Sequence, residues 1–104
     1  MQLRVTELNA RDEITIRTQF SAYSFCVTDP VHCRGFLSGG LLGDQRHAAV
    51  FLGEISPANS QSGEFFRLQT GRRAVFLLAG KGLDRLTTSI IAEISLSETQ
   101  AEEC

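Results

Sequence analysis

The chain lacks the features that mark secreted, membrane-spanning and disulfide-framework proteins. No apolar run approaches the roughly 18 residues that a membrane helix needs. The first twenty residues carry charges every few positions, so no signal peptide is expected. The chain has three cysteines, Cys26, Cys33 and Cys104. Their number is odd and their spacing does not match a disulfide-rich scaffold, which favours reduced thiols. These absences predict a cytoplasmic protein with no membrane partner.

Strong net charge is also absent. The formal charge is −2, and Lys81 is the single lysine among ten cationic residues. A nearly neutral chain has no general electrostatic attraction for nucleic acid or for an anionic membrane. Apolar residues make up 42% and charged residues 21%, an ordinary globular composition at a length that supports a single core. We expect one domain over residues 1–97, followed by an acidic, frayed tail over 98–104.

Hydrophobic periodicity predicts strands along most of the chain. In residues 14–22 apolar and polar side chains alternate, which is typical of a strand with one buried face. The large side chains then move to the odd positions Tyr23, Phe25 and Val27, which a β-bulge near Ala22 would explain. These three side chains are expected to pack against a second layer, either the opposite sheet or a partner subunit.

Turns and continuous apolar runs supply the remaining elements. Turns are predicted at Asp29–Gly35 and Ser38–Gly40, a hairpin around Gly71, and an exposed polar loop over 56–64. The runs "RHAAVFLGEI" and "RRAVFLLAG" are typical of strands buried on both faces. A chain this small has few other elements that could bury both faces of these strands. A second copy of the same chain is the simplest way to bury the remaining face, so a symmetric homodimer is expected.

The hydrophobic pattern of the last segment, residues 83–97, is compatible with both a strand and a helix. Its alternation and its β-branched run "TTSII" favour a strand, whereas Leu83, Leu86, Ile90 and Ile94 also fall at helical spacing. The predicted fold is therefore all-β, a small antiparallel barrel or sandwich of six to seven strands. The alternative is an α+β fold with a C-terminal helix over the sheet.

Few residues are candidates for chemistry, and none forms an established motif. A relay could use Cys33 as nucleophile with His32 or His47 and with Asp29 or Asp44 as orienting carboxylate. The spacing of Cys26, His32 and Cys33 does not match a structural zinc site, so neither a metal nor a cofactor is expected. Glu54 or Glu93 would qualify as a general base only if it were buried in a pocket. Binding or interface candidates are Tyr23, Phe25, Val27, His47, Arg67, Arg72 and Arg73.

Several motifs resemble a small bacterial all-β domain that has no known activity. Its pattern is a T-R-N-S-x-Y-x-F strand, a Gly-Gly turn and a closing T-S-x-I strand. The matching residues here are Thr18, Ser21, Tyr23, Phe25, Gly39, Gly40, Thr88, Ser89 and Ile91. Gln19 and Phe20 stand where that pattern has Arg and Asn. The resemblance covers about a third of the chain and implies an all-β fold.

Three functions are consistent with these features. The favoured one is a non-enzymatic binding or interaction module that acts as a homodimer on a small-molecule or protein ligand. The first alternative is a small-molecule-binding barrel or minor enzyme with a pocket at the barrel mouth or dimer seam. The second is single-stranded nucleic-acid binding through the Arg67–Arg85 region, where basic residues lie near phenylalanines; the overall charge disfavours it.

Overall fold

The computed structural model describes residues 2–55, 67–79 and 84–98, and in them it shows strands and two 3-10 turns without an α-helix. The predicted all-β class is confirmed, with nine strands instead of six or seven. The C-terminal helix of the alternative fold is wrong, because the segment forms two strands. The elements are β1 (Gln2–Arg4), β2 (Asp12–Thr18), β3 (Ala22–Asp29), β4 (Arg34–Gly39), β5 (His47–Ile55), β6 (Arg67–Gln69), β7 (Arg73–Leu78), β8 (Asp84–Thr87), β9 (Ile91–Glu98) and the 3-10 turns Val5–Glu7 and Gly40–Leu42.

Seven strands form one antiparallel sheet in the order β8-β7-β5-β4-β3-β2-β9, and β1 pairs with β6 in a second, small sheet. The large sheet is sandwich-like and not a closed barrel, since its end strands β8 and β9 are not neighbours. The sheet is curved, so that the start of β9 contacts the residues that directly precede β7. The backbone of Ile91 donates to the carbonyl of Arg72 and accepts from the N–H of Gly71, both at 2.8 Å.

A tight turn, and not a bulge, explains the change of phase after residue 18. β2 and β3 pair in unbroken register down to Arg17 opposite Ala22. Thr18 Oγ1 accepts hydrogen bonds from the N–H groups of Ser21 at 3.0 Å and Phe20 at 3.3 Å. This side-chain cap stabilises the turn. The predicted bulge near Ala22 is therefore wrong, and Phe20 lies at the tip of the hairpin, 78% exposed.

The core is filled by three phenylalanines from three strands. Phe25 and Phe76 meet edge to face with ring centroids 5.1 Å apart, and Phe51 and Phe76 lie 5.4 Å apart. Tyr23 and Val27 point into the same core as Phe25, so all three pack against the opposite side of their own chain. The other core members are Val5, Ile14, Ile16, Cys33, Leu37, Ala49, Leu68, Ala74, Leu86, Ile91 and Ile94.

The two continuous apolar runs differ in how they are covered. In β7 the outward-facing Val75 is buried, as expected, whereas in β5 the outward-facing Ala48 and Leu52 are exposed. A continuous run cannot show from sequence alone which face is covered.

The turn at Gly71 has the positive φ that was expected, +85°, but it does not close a hairpin. β6 pairs with β1 instead, with Leu68 opposite Leu3, and Leu68 is fully buried in the core. The predicted loop over 56–64 and the tail beyond residue 98 lie outside the described residues.

Candidate functional site

A β-bulge in β5 turns a carboxylate toward the interior. Phe51 pairs with Phe76 and Gly53 pairs with Val75, so Leu52 is an extra residue in the ladder. Beyond the bulge Glu54 lies opposite Ala74, which is a core residue. A bulge shifts every later side chain to the opposite face. Without it, Glu54 would share the outer face with Val50; with it, the side chain of Glu54 is fully buried.

Gln69 and Arg72 contact this carboxylate. Its Oε1 atom accepts a hydrogen bond from Gln69 Nε2 at 2.5 Å and lies 3.7 Å from Arg72 Nε. Gln69 belongs to β6 and Arg72 to the turn that follows it, so Glu54 joins β5 to both. We call Glu54, Gln69 and Arg72 the Glu54 cluster. Burying a carboxylate is costly unless it is paired and hydrogen-bonded, and the cluster supplies both kinds of contact.

The neighbouring arginine is engaged with the backbone. Arg73 Nη1 donates to the carbonyl of Thr88 at 3.4 Å. Thr88 is itself buried, and its Oγ1 accepts from the N–H of Ala74 at 3.0 Å and donates to the carbonyl of Ser89 at 2.8 Å. Arg72 and Arg73 thus both bind groups of their own chain. The side chain of Arg67 lies outside the described residues.

Part of the predicted relay is formed at the turn after β3. His32 Nδ1 lies 2.7 Å from Asp29 Oδ2, and both side chains are largely exposed. The hydrogen bond from His32 is the main cause that lowers the pKa of Asp29 below its ordinary value. The candidate nucleophile is differently placed. Cys33 is fully buried in the core, and burial, followed by the charge of Asp29, raises the pKa of its thiol. Since the thiolate is the nucleophile, this environment does not activate Cys33.

His47 and Asp44 lie elsewhere. The carbonyl of Cys33 accepts from the N–H of Phe51, four residues after His47, so Cys33 and His47 are about 13 Å apart along the strand. Asp44 is exposed just before β5. The structure therefore brings His32 and Asp29 together and leaves His47 and Asp44 apart from them. Within residues 2–55, 67–79 and 84–98, no three His, Cys, Asp or Glu side chains are grouped closely enough to hold a metal ion.

The residues that carry the resemblance have structural roles at two neighbouring places. Thr18 caps the β2–β3 turn and lies opposite Ile91 of β9. Tyr23 lies opposite Gly39, and a Cβ added to Gly40 would overlap the Tyr23 ring. Gly40 also has a φ of +51°, so both the close contact with Tyr23 and the backbone conformation favour glycine at this position. The motif thus specifies turns and packing, and none of its described side chains forms a chemical site.

Sequence reasoning missed the Glu54 cluster as a group. The sequence indicates Glu54 only as an isolated carboxylate and Arg72 only as part of a basic region, and it gives no signal at Gln69. Comparison of this chain with protein-family models, with curated proteins and with solved structures finds no match. In the part of the chain that the structure describes, no helix is long and apolar enough to cross a bilayer.

Proposed function

We propose that this chain is a non-enzymatic binding module that acts as a homodimer through the outer face of β4, β5 and β7. The filled interior supports a surface function over an internal one. Phe25, Phe51 and Phe76 occupy the centre of the sandwich and are fully buried. A small-molecule site in a β-fold needs an enclosed concave space, and these rings take up the space where such a site would lie.

The observation that carries the proposal is the uneven outer surface of the large sheet. On β9, β2 and β3 the outward side chains are polar, as in the cross-strand pairs Arg17–Glu93 and Thr15–Ser95. On β4, β5 and β7 four of the outward side chains are large and apolar, namely Phe36, Val50, Leu52 and Leu77, which we call the outer apolar surface; Arg34 of β4 lies opposite Val50 at its border. Val50 lies opposite Leu77, and Leu52 is 37% exposed. Contiguous apolar surface rimmed by polar residues is typical of protein interfaces.

A charge placed on this surface should separate the dimer. We expect the wild type to have twice the 11.4 kDa of one chain in light scattering at micromolar concentration. Leu52→Glu should raise the dissociation constant by about 100-fold, because a carboxylate at the centre of an apolar interface loses its hydration without gaining a partner. Sedimentation equilibrium would measure the change.

The matched control is Thr15→Glu, which adds the same charge to the outer face on the polar side of the sheet. It should leave the dissociation constant within about twofold of the wild type. A wild type that is monomeric at micromolar concentration, or an equal effect of both variants, would contradict the proposed interface.

Burial of Glu54 favours a second candidate, a small-molecule site or minor enzyme at this end of the sandwich. A buried carboxylate beside an arginine is a common arrangement for acid–base chemistry. In this chain the carboxylate is fully buried, so a ligand would have to displace Arg72 to reach it. Titration of ¹⁵N-labelled protein with small organic acids, amines and sugars tests this: shifts centred on Gln69 and Arg72 support it, and a spectrum unchanged across all three classes removes it.

The stability contribution of the Glu54 cluster is separately testable. Arg72→Ala should lower the free energy of unfolding by about 1–2 kcal/mol, because it removes a cation from a buried carboxylate. The value is below that of a fully buried pair since the Arg72 side chain is 36% exposed and water screens it. Arg85→Ala on the exposed strand β8 is the control, with an expected loss under about 0.5 kcal/mol. Equal losses in urea unfolding would show that Arg72 contributes nothing through Glu54.

Nucleic-acid binding through the Arg67–Arg85 region receives little support. Phe76 is buried in the core and so cannot stack on a base. Arg72 and Arg73 bind groups of their own chain. We keep the resemblance to the bacterial all-β domain and the cytoplasmic location as proposals.

A further inference from the structure

One edge of β9 faces away from β2 and lies at the end of the large sheet. β9 has eight residues, whereas β8, the strand at the other end, has four. Within the ranges 2–55, 67–79 and 84–98, β9 pairs with β2 only. Proteins commonly protect such an edge with a proline, a lysine or a very short strand. The sequence of β9, "IAEISLSE", has neither residue, and its register shift lies near its start, so the rest of β9 keeps the geometry that a further strand needs.

The hydrogen-bond alternation of β2 shows which backbone groups of β9 face this edge. Thr18 donates its N–H across the β2–β3 turn at 2.8 Å. Because neighbouring residues of a central strand bond to opposite sides, the next residue, Arg17, bonds to β9. Its partner there is Glu93, so Ile94 directs its N–H and carbonyl away from β2, and Leu96 does the same two residues later. We call these four backbone groups the β9 edge.

The two faces beside the β9 edge differ in polarity. Ile94 and Leu96 lie opposite Ile16 and Ile14, which are fully buried, so both side chains face the core. Ile94 is 4% exposed, but Leu96 is 42% exposed. On the outer face Glu93 is exposed. A strand added here would therefore meet apolar surface on the core side and a carboxylate on the outer side.

The start of β9 limits the length of such a strand. The N–H of Ile91 donates to the carbonyl of Arg72, and its carbonyl accepts from the N–H of Gly71. These groups already occupy the same edge at that end. Ala92 is the extra residue of the register shift. An added strand that pairs with Leu96 and Ile94 therefore ends opposite Glu93.

We propose that the β9 edge binds an extended peptide of a partner protein by strand addition, antiparallel to β9, with the pattern apolar-x-apolar-basic. The first and third peptide residues lie opposite Leu96 and Ile94, where each exchanges two hydrogen bonds and directs its side chain to the core side. The basic residue lies opposite Glu93 and extends the row in which Arg17 lies on the other side of that carboxylate. Opposite charges on neighbouring strands are favourable. This inference names a ligand for the proposed binding module and so rests on that function, but it uses none of the strands of the homodimer interface.

A second copy of β9 fits this edge less well than a basic peptide. β9 contains two glutamates and no lysine or arginine, so a second β9 would bring no cation to Glu93. Charge complementarity therefore favours a partner that supplies one.

N-methylated peptides test the backbone hydrogen bonds without altering the protein. The probe is an end-blocked, fluorescein-labelled peptide with Val-Thr-Val-Lys between serines, and fluorescence anisotropy measures its Kd. A methyl group on the nitrogen of the second valine, which faces Ile94, should weaken binding by about tenfold, because it removes a donor and keeps the two backbones apart. The matched control carries the methyl group on the threonine, whose N–H points away from β9, and should bind within about threefold of the parent. Equal losses from the two methyl groups, or no binding of the parent at about 1 mM, would overturn the proposal.

Variants of Leu96 test the same bonds from the protein side. Leu96→Pro removes an N–H that does not face β2, a position at which an edge strand accepts proline, and should weaken binding by about tenfold. Leu96→Ala keeps the N–H and loses the apolar contact, so a loss of about threefold is expected. If alanine weakens binding as much as proline does, backbone pairing is not the cause.

Amide hydrogen exchange locates the peptide on the sheet. Bound peptide should slow exchange at Ile94 and Leu96. Slowed exchange confined to other strands would overturn the proposal, as would protection of these two amides that rises with protein concentration when no peptide is present, because a second copy would then occupy the edge. Sedimentation equilibrium of the same samples measures the homodimer, so failure of peptide binding and failure of dimerisation are distinguishable.

Discussion

Phe76→Ala is expected to lower the free energy of unfolding by about 3–5 kcal/mol, measured by urea denaturation. The ring is fully buried and contacts both Phe25 and Phe51. Truncation removes its buried area and leaves a cavity that strands β3, β5 and β7 hold open. It also removes two aromatic pairs, each contributing about 0.5–1.5 kcal/mol beyond area alone. Since domains of this size are stable by about 5–15 kcal/mol, a large part of the stability depends on one ring.

Phe20→Ala is the control for this change, because it deletes the same atoms at the tip of the β2–β3 hairpin. Phe20 is 78% exposed, so the expected loss is within about 0.5 kcal/mol. Equal losses for the two variants would show that the three rings are not the centre of the core.

Gly35→Ala should be at least as damaging, with an expected loss of about 4 kcal/mol or more. A Cβ at this position would overlap the carbonyl oxygen of Cys26 and lie 3.1 Å from Cε1 of Phe25. The first obstacle is backbone of the paired strand, so no rotamer change relieves it. β3 and β4 would have to separate at the Val27–Gly35 pair, in the middle of the large sheet. Loss of the cooperative thermal transition in circular dichroism would be the measured sign.

Gly71→Ala is the control for Gly35→Ala, because it introduces backbone strain without a steric overlap of the added Cβ. Gly71 has φ +85°, and nothing lies within 4 Å of an added Cβ. Only the cost of a left-handed conformation applies, about 1–2 kcal/mol. If Gly35→Ala proves no worse than Gly71→Ala, the close contact between β3 and β4 is not as the structure shows it.

The strand content of the chain could be predicted from sequence, but the turns between strands could not always be located. Alternation from Ile14 to Thr18 correctly assigned the buried face of β2. It continued through Phe20 and Ala22, where the chain in fact reverses. The reversal depends on the hydroxyl of Thr18 capping two backbone N–H groups, and threonine is equally common inside strands. Periodicity alone does not distinguish these two uses.

The candidate site was less predictable because it depends on register. Glu54 faces inward only because Leu52 is an extra residue relative to β7, and neither strand shows this by itself. Gln69 reaches Glu54 from β6, which was expected to pair with β7 and pairs with β1 instead. The prediction of reduced thiols is wrong for Cys26, which is disulfide-bonded, because cysteine spacing alone does not reveal which residues meet in the fold.

The extra residue in β5 also has a consequence for sequences that differ in length. Deleting Leu52 would remove the bulge and restore strict alternation, with Phe51 inward, Gly53 outward and Glu54 still inward opposite Ala74. Gln69 and Arg72 would then keep the carboxylate that they contact. Related chains with one residue fewer between Phe51 and Glu54 should therefore retain a polar side chain in place of Gln69.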